Sequence, residues 1–322
     1  MPYHSKWQSL PTEAINAATL GIDTMPVLDI VDLMTQEDKK VVAAVHKERE
    51  RIGHGVDLII GALKKGGRLL LVGAGTSGRL CLVEATEMPL TFGTPPKLVQ
   101  AIMAGGQDAV FYPREGVEDH FEEGARSVAR LRVSKRDVMI GVSASGITPF
   151  VRGALTAART KGARIIFVTC WPGNELQNYV DLIIAPAVGP EVIAGSTRLK
   201  AGTATKLVLN MLTTIAMIRI GKTYGNLMVD VHTGSEKLKD RAVRIVSLVT
   251  GVPPDEASGL LKDARWSVKA AIVMKRAGVS YATALRRIRK ADGSIREALG
   301  EDLEPRLRAL LTTPAPPSLT SE

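Results

Sequence analysis

Cysteine is scarce in this sequence. Cys81 and Cys170 are its only two, too few for a disulfide framework. One falls in a predicted helix and the other at a predicted strand end, so buried free thiols are expected. Aromatic residues make up only 4% of the 322, so the core must be aliphatic. No apolar run reaches the roughly 18 residues that a bilayer crossing needs. Residues 1–12 are polar and lack the apolar segment of a secretory leader, so a cytoplasmic protein is expected. The five histidines (His4, His46, His54, His120 and His232) form no pair at metal-ligand spacing with cysteine or carboxylate help, which argues against structural zinc. The formal charge is +9, densest at Arg286-Arg287 and Arg289-Lys290. No aromatics are interleaved there to stack on bases, so this reads as a solvated helix face. Neither nucleic acid nor membrane is an expected partner, although the positive charge would steer an anionic substrate.

What is present is an alternation of strands and helices. Residues 1–25 read as an ordered but irregular arm. Pro26 opens a short helix to Met34, and Thr35 with Asp38 resembles a capping box. Residues 38–65 then read as one long helix, ended by Gly66-Gly67. Strands are predicted over 68–72, 98–103, 137–142, 163–169 and 181–185, with helices over 80–86, 122–131 and 150–161 between them. Such repetition implies a parallel sheet covered on both faces, with ligands beyond the C-terminal strand ends. Helices follow over 203–220 and 237–250, then short ones over 255–263, 267–277, 280–291 and 295–299. The fold class is α/β: a three-layer α-β-α parallel sheet, Rossmann-like, with N-terminal helices and a small C-terminal helical module. The expected domains are an N-terminal arm with helices (1–67), an α/β domain (68–235), a helical module (236–311) and a disordered tail (312–322).

Two turns stand out. Gly73-Ala74-Gly75-Thr76-Ser77-Gly78-Arg79 follows the apolar run Leu69-Leu70-Leu71-Val72 and leads into a helix. Glycines allow close backbone approach, and a helix start offers free N–H groups and a favourable dipole to an anion. Thr76 and Ser77 add hydroxyls, and no Gly-Lys-Ser/Thr of a nucleotide loop is present. The second turn, Ser143-Ala144-Ser145-Gly146-Ile147-Thr148, has the form Ser-x-Ser-Gly-x-Thr at another strand end. Together they can hold a phosphate from two sides. Thr76, Ser77, Gly78, Ser143, Ser145, Gly146 and Thr148 are therefore the candidate substrate-binding residues.

These two turns resemble the sugar isomerase (SIS) domain family and, within it, the N-acetylmuramic acid 6-phosphate etherases. The resemblance runs from about residue 12 to about residue 299. It includes Glu115-Gly116-Val117-Glu118-Asp119, Gly195-Ser196-Thr197-Arg198-Leu199-Lys200-Ala201-Gly202-Thr203 and Gly225-Asn226-Leu227-Met228-Val229-Asp230. It implies removal of the D-lactyl ether from C3 of the sugar, giving N-acetylglucosamine 6-phosphate and D-lactate. It places the two catalytic glutamates at Glu87 and Glu118: Glu87 as acid toward the lactyl oxygen and later activator of water, Glu118 as base at C2. It implies a homodimer and no metal, nucleotide or redox cofactor. Without it, Glu87 reads as a helix-end glutamate and Glu118 as part of a solvated acidic run. Lys200 and Lys206 read either as surface lysines or as electrostatic aid to an enolate, and His120 as solvent-facing. The chain departs from the family at Met88-Pro89-Leu90, at Ile147, at Phe111-Tyr112-Pro113-Arg114 and at Trp171-Pro172-Gly173, which leaves the exact substrate preference open. A sugar-phosphate sensor without catalysis and an aldose–ketose isomerase are the alternatives on the same domain.

Overall fold

A computed structural model describes residue 7 and residues 10–173, 176 and 179–300. The expected tail at 312–322, residues 301–311 of the helical module and Asn174 of the fourth strand's turn lie outside these residues. The chain divides into two compact units. The first holds the residues up to Met88 and Pro95–Ala216; the second holds Pro89–Thr94 and the residues from Met217 on.

The first unit opens with three single-turn 3-10 segments, Pro11–Glu13, Ala17–Thr19 and Ile22–Thr24, the irregular arm that the sequence implied. Helix α1 (Val27–Lys47) and helix α2 (Arg49–Lys64) follow. The expected break near Thr35 is absent. Thr35 donates its hydroxyl to the Val31 carbonyl, 2.8 Å away, instead of capping a new helix. The break falls at Glu48, whose buried carboxylate accepts the Ala185 N–H at 3.1 Å. That partner lies 137 residues away, so tertiary structure sets this boundary.

Strands β1 (Leu69–Gly73), β2 (Val99–Met103), β3 (Val138–Val142), β4 (Arg164–Val168) and β5 (Leu182–Ile184) form one parallel sheet in the order β2-β1-β3-β4-β5. Between them run α3 (Gly75–Phe92), α4 (Asp108–Phe111), α5 (Phe121–Arg130) and α6 (Pro149–Thr160). Leu70, Val72, Met139, Ile165 and Phe167 bury one face of the sheet against Phe150, Val151 and Ala154 of α6 and Val128 of α5. Strand residues alternate in direction, so Leu69, Leu71, Ile140 and Ile166 face the other way. There Gly55 of α2 sits against Leu182 and Ile184, and against Leu212 of α7 (Lys200–Arg219). Both faces are covered, which is why the strands are continuous apolar runs. At the strand starts, buried Asp137 accepts the Arg68 backbone N–H at 2.9 Å and its guanidinium at 2.9 Å and 3.1 Å, tying β1 to β3. Burial raises the pKa of Asp137, but bonds from Arg68 and Ser134 outweigh it and hold the carboxyl below its ordinary value.

Helix α7 is long and apolar enough, by length and composition, to cross a membrane. Ala201, Ala204, Val208, Leu209 and Leu212 are, however, buried in the first unit's core. Both cysteines are free and buried, and burial pushes the Cys170 thiol up to about 12 and that of Cys81 higher still.

The second unit holds a two-stranded hairpin, β6 (Thr223–Tyr224) and β7 (Leu227–Met228), then α8 (Glu236–Thr250), α9 (Pro254–Asp263), α10 (Val268–Ala277), α11 (Tyr281–Lys290) and α12 (Ile295–Leu299). Ser235, Ser267, Ser280 and Ser294 each cap a helix by accepting the N–H three residues on. Val246, Val249, Leu261, Ile272 and Ala284 form its core. Arg286, Arg287, Arg289 and Lys290 lie exposed along α11, as the sequence suggested.

Candidate active site

Because β1 and β3 are neighbours in register, with Gly73 opposite Val142, the turns that follow them emerge side by side. They border a cavity of about 420 Å³. Thr76 and Ser77 line it from the first turn, and Ser143, Ser145 and Thr148 from the second. Glu118 lines it from a one-turn segment, Val117–Asp119, that follows Gly116 in a left-handed conformation.

The first turn is part of its helix. Helix α3 starts at Gly75 and runs to Phe92 through Pro89, well beyond the expected 80–86. The glycine spacing of this turn is also that of a dinucleotide fingerprint. A side chain at Gly73 would meet the Gly78 nitrogen at 2.7 Å, and one at Gly78 the Gly73 oxygen at 2.8 Å. These two glycines thus permit strand–helix contact. No acidic residue stands near the end of β2, where a dinucleotide's ribose would need one.

The hydroxyls divide by role. Ser143 is buried, sits 2.7 Å from the Thr148 hydroxyl and accepts the Gly146 N–H at 3.1 Å, so it knits the second turn together. Thr76, Ser77, Ser145 and Thr148 are half-buried and border the open space. Gly78 and Gly146 do not line the cavity; Gly146, with φ of +77°, shapes the turn.

Arg79, at the end of the first motif, also lines the cavity. It donates through Nε to the Val110 carbonyl and through Nη2 to that of Ala109, both at 2.9 Å, and so ties α3 to α4. Arg114 and Glu115 border the same space, as does Thr197 just before α7. In the sequence, Arg79, Glu115 and Thr197 stand only within longer motifs and Arg114 only within a departure, with nothing local to mark a role for them.

Glu87 is not brought in. It lies exposed on α3 and does not line the cavity. Ten residues separate it from Ser77 along the helix, a rise of about 15 Å. Glu84, one turn earlier, is buried and accepts from Thr213 at 2.6 Å and Lys206 at 2.8 Å. Lys206 also bonds Asn210, so it is committed to this network. Lys200 is no surface lysine: it is 1% exposed and paired with Glu37 at 2.6 Å. Burial would raise the Glu37 pKa, but bonds from Lys200 and Lys40 hold it at about 2. Glu191, also buried, accepts the N–H groups of Lys200 and Ala201, both at 2.9 Å, and caps α7. His120 is exposed. Among the described residues, no cluster of three histidine, cysteine or carboxylate side chains is placed to hold a metal ion.

The glucokinase regulatory protein N-terminal SIS domain profile matches residues 51–159, and the SIS domain profile matches residues 120–215. N-acetylmuramic acid 6-phosphate etherase of Rubrobacter xylanophilus is 48% identical over 92% of this chain and 98% of that protein. The chain belongs to the N-acetylmuramic acid 6-phosphate etherase family. The Symbiobacterium thermophilum etherase is 52% identical over 84% of this chain and 90% of its own length. Among solved structures, a phosphoheptose isomerase from Francisella tularensis has a TM-score of 0.47 at 21% identity, covering 60% of this chain and all 100% of that one.

Proposed function

We propose that the protein cleaves the D-lactyl ether of N-acetylmuramic acid 6-phosphate, yielding N-acetylglucosamine 6-phosphate and D-lactate in the turnover of cell-wall amino sugars. The observation that carries this reading is the pair of hydroxyl-bearing turns on adjacent strands, bordering one cavity with Glu118. Thr76, Ser77, Ser145 and Thr148 hold the 6-phosphate, whose charge is met by hydroxyl donors and by N–H groups at the start of α3.

In the open-chain sugar the C2 hydrogen is acidified by the C1 aldehyde. Glu118 takes that proton, the C2–C3 double bond forms and the C3–O bond breaks. The departing lactyl oxygen is a poor leaving group and needs a proton, which Glu87 supplies. Water then adds across the double bond, its hydroxyl to C3 and a proton back to C2, so the net change is hydrolysis. One carboxyl acting as base while another stays protonated is the divergence such chemistry requires.

Since Glu87 stands about 15 Å along α3 from Ser77, we take it to enter the cavity of a second copy of the chain. Exposed apolar residues favour a covered face on these helices: Val83, one turn before Glu87 on α3, and Met211 and Ile215 on α7, the helix that Thr213 bonds to Glu84 of α3. The same reading makes the protein a cytoplasmic homodimer.

The test is D-lactate release from N-acetylmuramic acid 6-phosphate by the pure protein. Glu118→Gln should lower kcat by about 10²–10⁴-fold with the fold intact. Binding of phosphosugars without lactate release would instead indicate a sensor, and aldose–ketose interconversion an isomerase.

A further inference from the structure

The substrate in this reading carries two anions, the 6-phosphate and the carboxylate of its lactyl group, and the turns account for only one. Of the residues lining the cavity, two are cationic, Arg79 and Arg114. Arg79 spends Nε and Nη2 on the carbonyls of Val110 and Ala109. Glu115 and Glu118 share the rim and would repel a carboxylate. Arg114 is different. Its side chain is 51% exposed, and its partner Asp108, at 2.8 Å, is 68% exposed. Such a pair is held weakly, because water screens it and both side chains lose freedom to form it.

Arg114 is also in the right place along the chain. It lies four residues before Glu118 on the same segment, with Gly116 turning the backbone between them. The lactyl group hangs from C3, next to the C2 hydrogen that Glu118 is to remove. A group reaching the lactyl carboxylate must therefore sit close to the C2 base. We infer that Arg114, which stands where this chain departs from the family pattern, is this protein's own specificity-determining residue for the lactyl carboxylate, exchanging its bond to Asp108 for a two-pronged one to the substrate. A guanidinium suits this better than an ammonium, since its fork matches two carboxylate oxygens. Asp108 then acts as a competitor that holds the arginine until substrate arrives.

This inference rests on the etherase reading, and a binding experiment separates the two. In a Glu118→Gln background, calorimetry compares N-acetylmuramic acid 6-phosphate with N-acetylglucosamine 6-phosphate, which lacks the carboxylate. Adding Arg114→Gln should weaken the first ligand about tenfold or more and leave the second within about twofold. Arg114→Lys should recover part of the loss, and Asp108→Asn should tighten the first ligand alone. Equal weakening of both ligands, or of neither, would overturn the inference even if the unaltered protein releases lactate. Absence of lactate release would instead sink the etherase reading, while a carboxylate preference lost with Arg114 would still uphold the inference.

Discussion

Two ion pairs of similar chemistry do opposite work in the first unit. Lys200 and Glu37 are 1% and 4% exposed, whereas Arg114 and Asp108 are 51% and 68% exposed. The buried pair ties α1 to the start of α7, where Glu191 accepts the N–H groups of Lys200 and Ala201. Two charges taken out of water cannot be left unpaired, so neither is free to meet a ligand. The rim pair has paid little desolvation and can exchange partners at small cost. Exposure, more than charge, thus separates framework from recognition here.

Breaking the buried pair should give the largest effect. Lys200→Met leaves the Glu37 carboxylate buried with only Lys40 and should destabilise the protein by about 3 kcal/mol, read by urea denaturation. The pH dependence sharpens the same contrast. Glu37 is lowered from 4.5 to about 2, because bonds from Lys200 and Lys40 outweigh burial. A depressed carboxylate stabilises the fold fully above its unfolded pKa and loses that contribution as pH falls through the folded one. Stability should therefore decline between about pH 4.5 and pH 2 in the native protein, and Glu37→Gln should flatten that part of the profile. At the rim, Asp108→Asn should change stability by less than about 1 kcal/mol. A loss there as large as that of Lys200→Met would erase the distinction.

The parts legible in the sequence were those written locally. All five strands of the parallel sheet appear where apolar runs predicted them, and the four serine-started helices of the second unit follow their caps; the short β6–β7 hairpin was not foreseen. The hydroxyl turns were legible for the same reason, since glycines and hydroxyls state their geometry over a few residues. The α1–α2 junction was not, because Glu48 answers to Ala185 far along the chain. Nor was the burial of Lys200, which depends on Glu37 at a separation of 163 residues. The helix expected over 80–86 is longer at both ends, running as α3 from Gly75 through Pro89 to Phe92. Glu87 thus stands mid-helix, away from the cavity that holds Glu118.

That separation of the two glutamates can be tested by mixing. Glu87→Gln and Glu118→Gln chains, each inactive alone, would be co-expressed with different tags. A mixed dimer of two-fold symmetry would carry one intact site and one doubly altered site. With random pairing, D-lactate release should recover to about a quarter of the native rate. If mixed dimers form and release no lactate, Glu87 does not act across subunits, and the shared site is contradicted.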